Sequence, residues 1–347
     1  MTSPNNSQTV HHGRLPDLHQ SWWQLAAIQP SGVTSLPILT SSVLIIQKTN
    51  FISAFITLVL ANILIWVIRY GIVAFSQKGR KSALDITYDS FGTIGAYVIA
   101  VILLLSTLAW FVMQTTMAAK GLSYLLPIEQ GTGVNLFMQY GVLIGIISTL
   151  LCMNGIKVIK WTSIIALPLL LLSFVLMFIF SSPALPKEAI SGISLAGLPI
   201  ILGTNLGISV DIPTFFRHSE SFKDSKKALV LIQIVSFVVG VAGLFLGSIL
   251  EPWIGINGHN GFVLDHMILR GALIFFVFVS AITANITNVY SSSVGWEIVA
   301  PVLAGVKEYL ILGLGLSISF ILVAEVFSTE LLADTTDFCL VNLSIIF

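Results

Sequence analysis

IQPSG, residues 28–32, interrupts an apolar run that extends from residue 22 to 46. Proline removes a backbone donor and clashes with the turn before it, and glycine loosens the chain. In hydrocarbon every freed N–H and C=O needs a partner within the protein, so a broken span faces a cavity or another helix. Whether this run crosses a membrane therefore decides the fold.

Composition answers that first question. Of 347 residues, 56% are hydrophobic and 9% are charged, with mean hydropathy +0.96. A soluble domain of this size carries far more polar surface. Net charge is zero, which points to neither nucleic acid nor an acidic partner. Cys152 and Cys339 both lie in apolar stretches and imply no disulfide framework. The chain reads as an all-α polytopic membrane protein with the lipid bilayer as its main partner.

Ten apolar segments are expected, at 22–46, 51–75, 90–119, 137–155, 161–181, 193–216, 228–250, 271–291, 308–327 and 334–347. The tenth stops in mid-run at Phe347, so the C-terminal helices are expected to be truncated or absent. With the N-terminus inside, cytoplasmic segments hold eleven Lys/Arg and external loops four, which orients the chain. Arg69, within the second segment, is expected to snorkel to the inner interface. The expected organisation is a polar cytoplasmic N-terminus (1–21), a first five-helix repeat (22–181) and a second repeat (182–347) with an incomplete tenth helix. The expected location is the plasma (inner) membrane.

A second break is read at GTNLG, residues 203–207, about 175 positions after the first. The same offset carries AWFVMQ (109–114) in the third segment onto TANITNVYSSS (283–293) in the eighth, with Trp110 falling at Asn285 and Gln114 beside Asn288. Interrupted segments at matching positions in two halves are the mark of an inverted-repeat transporter with its site at the midplane.

The chemistry of that site is uncharged. Asp211 and Glu297 sit near inner ends, Glu325 near an outer end, and the midplane has no counter-ion or proton relay. Amides and hydroxyls remain: Gln29, Gln114, Thr204, Asn205, Ser280, Thr283, Asn285 and Asn288. An amide offers donor and acceptor together and pairs with a cyclic-amide or aminopyrimidine edge. Trp110 and Gln114 are four apart, on one helical face, so a stacking plate stands one turn from an amide. The rival reading of each is packing: amides act as interhelical glue worth about 0.6 kcal/mol each. Ser280 is expected to bond its own backbone one turn back. The Gly141/Gly145 and Gly243/Gly247 pairs are read as helix packing. His218, His259 and His266 lack ligand spacing, and neither a metal site nor an enzyme's nucleophile and base stands within the spans.

On AWFVMQ, VDIPTFFRHSES (210–221) and TNVYSSSV (287–294), the chain resembles the purine–cytosine permease family of nucleobase–cation symporters, over about residues 20–330. The resemblance implies a leucine-transporter-like fold of two inverted five-helix repeats with helices 1 and 6 broken. It implies symport of a neutral nucleobase or related heterocycle with Na+ or H+ by alternating access, and no cofactor. By the same resemblance Trp110 stacks on the base, and Gln114, Asn288 and Gln29 hydrogen-bond it; Asn205 and Asn285, read from the amides above, complete the expected substrate-binding set. A cation would lie at carbonyls near Leu25 and Ile28 and at Thr283. This chain has Ile282 before Thr283 where sodium-coupled members have two hydroxyls, Thr214 where they have arginine, and Leu202 and Gly203 where an aromatic is expected. Two other readings stay open: an amino-acid permease of the same fold, and a degenerate, non-transporting remnant.

Overall fold

The computed structural model describes residues 19–28, 34–126, 136–153, 155–180, 193–209, 212–247, 265–300, 302 and 306–323. Among them the chain forms eleven helices. They are α1 (Trp22–Ile28), α2 (Leu36–Lys48), α3 (Phe51–Gly79), α4 (Ala83–Leu125), α5 (Leu136–Cys152) and α6 (Ile156–Phe180), followed by α7 (Leu198–Ser209), α8 (Ile212–Phe216), α9 (Phe222–Phe245), α10 (Met267–Val299) and α11 (Val306–Val323). Five of them, α3, α4, α6, α9 and α10, are long and apolar enough to cross a bilayer, and this is an integral membrane protein. Nine of the expected segments correspond to these helices; the tenth, 334–347, lies outside the described residues.

The first segment is two helices. α1 ends at Ile28 and α2 begins at Leu36, with Pro37 in its first turn, where a missing N–H costs nothing. The sixth segment is also two helices, but the break is not at GTNLG. α7 runs helically through residues 203–207 to Ser209, and α8 starts at Ile212. Thr204 and Asn205 are satisfied inside the helix: Thr204 Oγ1 donates to the Ile200 carbonyl (2.9 Å) and Asn205 Nδ2 to that of Ile201 (3.1 Å). Pro213 stands in the first turn of α8, where its missing N–H costs nothing.

The third segment begins earlier than expected. A capping box at Ser82 and Asp85 starts α4, with Ser82 Oγ accepting from the Asp85 amide at 3.2 Å. Gly92, at φ 69°, then kinks the helix, a backbone conformation that side chains resist. Gln20 pairs with the chain after α8: its amide donates to the His218 carbonyl (2.8 Å) and its carbonyl accepts from Glu220 (3.3 Å). The entry to α1 is thereby pinned to the exit of α8.

Packing sorts the helices into two bodies. α2 and α3 pack on α9 and α7, and α3 also holds α8. α10 lies along α4, its most extensive interface, and also packs on α5 and α6, while α11 packs on α5 and α4. α1 touches both groups, through α9 and α6. Each body has a glycine seam. In the first, a Cβ on Gly243 would lie 2.8 Å from the Leu39 carbonyl oxygen and 2.8 Å from Ser42 Cβ. In the second, Gly141 lies under Phe320, Gly145 under Ser317 and Gly313 against Thr149. Small residues of this kind let membrane helices approach closely. Gly243→Val is therefore expected to cost about 1–3 kcal/mol by overpacking against backbone that cannot yield. Thermal unfolding in detergent checks this. Gly315→Val, where nothing lies within 4 Å, is the control and should leave the transition in place.

Candidate functional site

The described candidate site residues lie on α1, α4, α7 and α10, with Trp110 of α4 at the junction between the two bodies. Trp110 and Met113 form a small apolar cluster with Leu44 of α2 and Met117, separate from the main core. The indole edge of Trp110 stands against the bare backbone of α7: a Cβ on Gly207 would lie 2.6 Å from its Cζ2 and 2.8 Å from its Nε1. Only glycine permits that approach. Gly207 was read from the sequence as a helix breaker; its place is opposite the stacking plate.

Two polar atoms here have no protein partner among the described residues. Trp110 Nε1 is a buried donor and, one turn on, Gln114 Oε1 is a buried acceptor. Their residues are 6% and 4% exposed, so water does not satisfy them from bulk. Buried polar groups without partners are rare in native proteins and ask for an explanation. Thr116 Oγ1, farther along α4, is also unpartnered.

α10 supplies the second wall. Its Asn285 donates to Thr115 Oγ1 at 2.8 Å, and Ser292 donates to Thr107 Oγ1 at 2.6 Å. These two bonds fix an antiparallel register of α10 on α4, in which Asn288 stands at the level between Trp110 and Gln114. Asn288 is half-buried and donates to Asn285 Oδ1 at 3.4 Å. Asn285 itself is fully buried, engaged in holding α10 to α4. Asn205 turns the other way: its side-chain oxygen accepts from Ser236 of α9 at 2.9 Å. Trp110 thus stands at the junction, with Gln114 one turn on along α4 and Asn288 at their level on α10, while Asn205 and Asn285 brace the two bodies. Gln29, with Asp211 of the sixth-segment break, lies outside the described residues.

The residues expected around a cation are buried. Leu25 and Ile28 lie in the last turns of α1 at 0% exposure. Thr283 Oγ1 donates to the carbonyls of Val279 (2.9 Å) and Ser280 (3.1 Å). Ser280 corrects its expectation: its buried hydroxyl makes no backbone bond and has no partner among the described residues.

The residue that sequence reasoning misjudged is Arg69. It does not snorkel. It is fully buried and donates inward from Nε to Ser209 Oγ (2.9 Å), from Nη2 to the Asn205 carbonyl (2.9 Å) and from Nη1 to Gln233 Oε1 (3.2 Å). A charge inside a span is itself a sign of function, and that signal was available in the sequence.

The architecture is the leucine-transporter-like one, shared with solved membrane transporters. The chain resembles Mhp1, a nucleobase-cation-symport-1 family transporter solved in a closed conformation with bromovinylhydantoin bound, with TM-score 0.68 and 17% identity over 91% of this chain and 75% of that one. It resembles an Eremococcus coleocola manganese transporter about as well, with TM-score 0.67 and 13% identity over 93% of this chain and 76% of that one. A Na+-coupled sialic acid symporter in a substrate-bound outward-open state gives TM-score 0.63 and 16% identity, over 89% and 73%. No family model matches the chain, and no curated protein does. At these identities the likeness is one of fold.

Proposed function

We propose that this chain is a secondary active transporter that moves a small neutral heterocycle, of nucleobase or hydantoin type, across the membrane together with a cation. The observation that carries the reading is the buried, unpartnered Gln114 Oε1 one turn from the Trp110 indole on α4, which stands at the junction of two bodies. A flat ring lying on the indole face can donate an N–H to Gln114 Oε1, and Asn288 contributes from α10. The hydantoin seen in one structural relative is a ring of that kind.

In this reading substrate enters where the first body meets the second. Binding favours closure, and one body then tilts against the other, exposing the site alternately to the two sides. Na+ or H+ couples through the α1 end at Leu25 and Ile28 and through α10, where Ser280 offers a free hydroxyl beside Thr283. Gln29, outside the described residues, is the further amide of this reading. The N-terminus is cytoplasmic and the membrane is the plasma (inner) membrane.

Uptake into proteoliposomes of a labelled panel tests the proposal: cytosine, uracil, a purine, a hydantoin and several amino acids, each with and without a sodium or a proton gradient. Saturable uptake of a heterocycle, driven by one gradient and not competed by amino acids, is expected. Competition by amino acids alone would move the reading to the amino-acid permease, and no uptake at all to the non-transporting remnant.

A further inference from the structure

A break is the soft point of a membrane helix, because the hydrogen-bond ladder stops and only the chain connects the two pieces. Between α7 and α8 lie residues 210 and 211, outside the described residues, and one neighbouring helix bonds to the elements on both sides. On the α7 side, Arg69 of α3 donates to the Asn205 carbonyl and to Ser209 Oγ, each at 2.9 Å. On the α8 side, Gln77 of α3 donates to the Phe216 carbonyl, while Ser76, whose hydroxyl donates to the Lys81 carbonyl at 2.9 Å, stands 3.4 Å from the Pro213 carbonyl. The donors follow one another along α3 in the same order as their acceptors along α7 and α8.

Arg69 also reaches a third helix. Its Nη1 bonds Gln233 of α9 at 3.2 Å, and Gln233 Nε2 donates back to Asn62 of α3. Ser236 of α9 holds the Asn205 side chain at 2.9 Å. A planar guanidinium with five donors in a fixed fork can tie three elements at once; a lysine ammonium cannot reproduce that fork. The placement has a consequence for the site. Asn205 and Ser209 flank Gly207, whose backbone meets the Trp110 indole. The guanidinium thus grips the turn of α7 that forms the wall opposite the stacking plate.

We propose that Arg69 is the positioning residue of α7. It fastens α7 to α3 and α9, and Gln77 fastens α8 to the same α3, so that α3, α7, α8 and α9 move as one body and Gly207 keeps its place against Trp110. The effect on transport rests on the transporter reading above; the fastening itself does not.

Hydrogen–deuterium exchange on the purified full chain in lipid nanodiscs tests the fastening directly. Wild type, Arg69→Met, Arg69→Lys and Gln77→Ala are compared over 198–216, with 136–152 and 306–323 as reference. Arg69→Met is expected to raise exchange through 198–209 by at least tenfold and leave the reference helices unchanged, with Arg69→Lys in between. Gln77→Ala should raise exchange at 212–216 alone. Wild-type exchange in Arg69→Met would overturn the proposal. A uniform rise that includes the reference helices would overturn it too, by making Arg69 a general stability residue. With a substrate from the uptake panel, Arg69→Met should raise KM more than tenfold and change Vmax less, with partial rescue by Arg69→Lys; a fall in Vmax alone counts against positioning. If the wild type transports nothing, the exchange pattern still decides the fastening, and only the transport reading fails.

Discussion

Gln114→Ala abolishes saturable uptake at substrate concentrations that saturate the wild type, while the protein keeps its helical content and its abundance in the membrane. The side chain lies 4% exposed, and its Oε1 has no partner among the described residues. If it accepts from a ring N–H, truncation leaves that donor buried and unpaired, at about 1–3 kcal/mol. That corresponds to roughly 10–100-fold in affinity. The variant fills no seam and breaks no helix-to-helix bond, so folding is a poor explanation for any loss. Uptake in proteoliposomes, normalised to reconstituted protein, is the measurement; wild-type kinetics in the variant would remove Gln114 from the site.

Gly207→Val has the second large effect, through shape. The new Cβ falls 2.6–2.8 Å from the Trp110 ring, inside any contact that real side chains make. Neither side yields readily. The indole is held among Leu44, Met113 and Met117, and the α7 backbone is gripped by Arg69 on both flanks of Gly207. The two bodies must therefore stand apart at this point. Transport is expected to fall by at least tenfold with a smaller change in thermal stability than Gly243→Val causes, because this contact lies at the junction and not in a seam. A reporter cysteine at the junction, labelled by thiol reagents from each side in turn, should be reachable from one side only. Gly271→Val, where nothing lies within 4 Å, is the control and should behave as wild type in both assays. Full activity of Gly207→Val would show that the indole and α7 do not need to meet.

The spans were legible because bilayer-length apolar runs admit little else. The first break was legible for a related reason, since proline and glycine together leave few helical options. GTNLG does not break its helix, because two glycines around polar residues looked weaker than they are: Thr204 and Asn205 satisfy themselves on the preceding turn. Gly207 belonged to the site for a different reason, close approach to Trp110. Side-chain direction was the limit elsewhere. Gln114, Asn205 and Asn285 look alike in sequence, yet one is left unpartnered and two brace helices, a difference set by partners more than 30 or 100 positions away. Arg69 failed the snorkelling expectation because its acceptors lie on α7 and α9, distant in sequence and invisible to a reading of its own span.

The glycine seams carry one more implication. Gly243 against Leu39 and Gly141, Gly145 and Gly313 between α5 and α11 leave no spare volume, so those positions tolerate almost no variety. Across the junction the close approach described is that of Gly207 to Trp110, so seam and junction are constrained at different points. A change on the facing surfaces outside that contact leaves the frame as it is. Solved structures of nearly equal likeness, one with bromovinylhydantoin bound, one a manganese transporter and one a sialic acid symporter, share that frame.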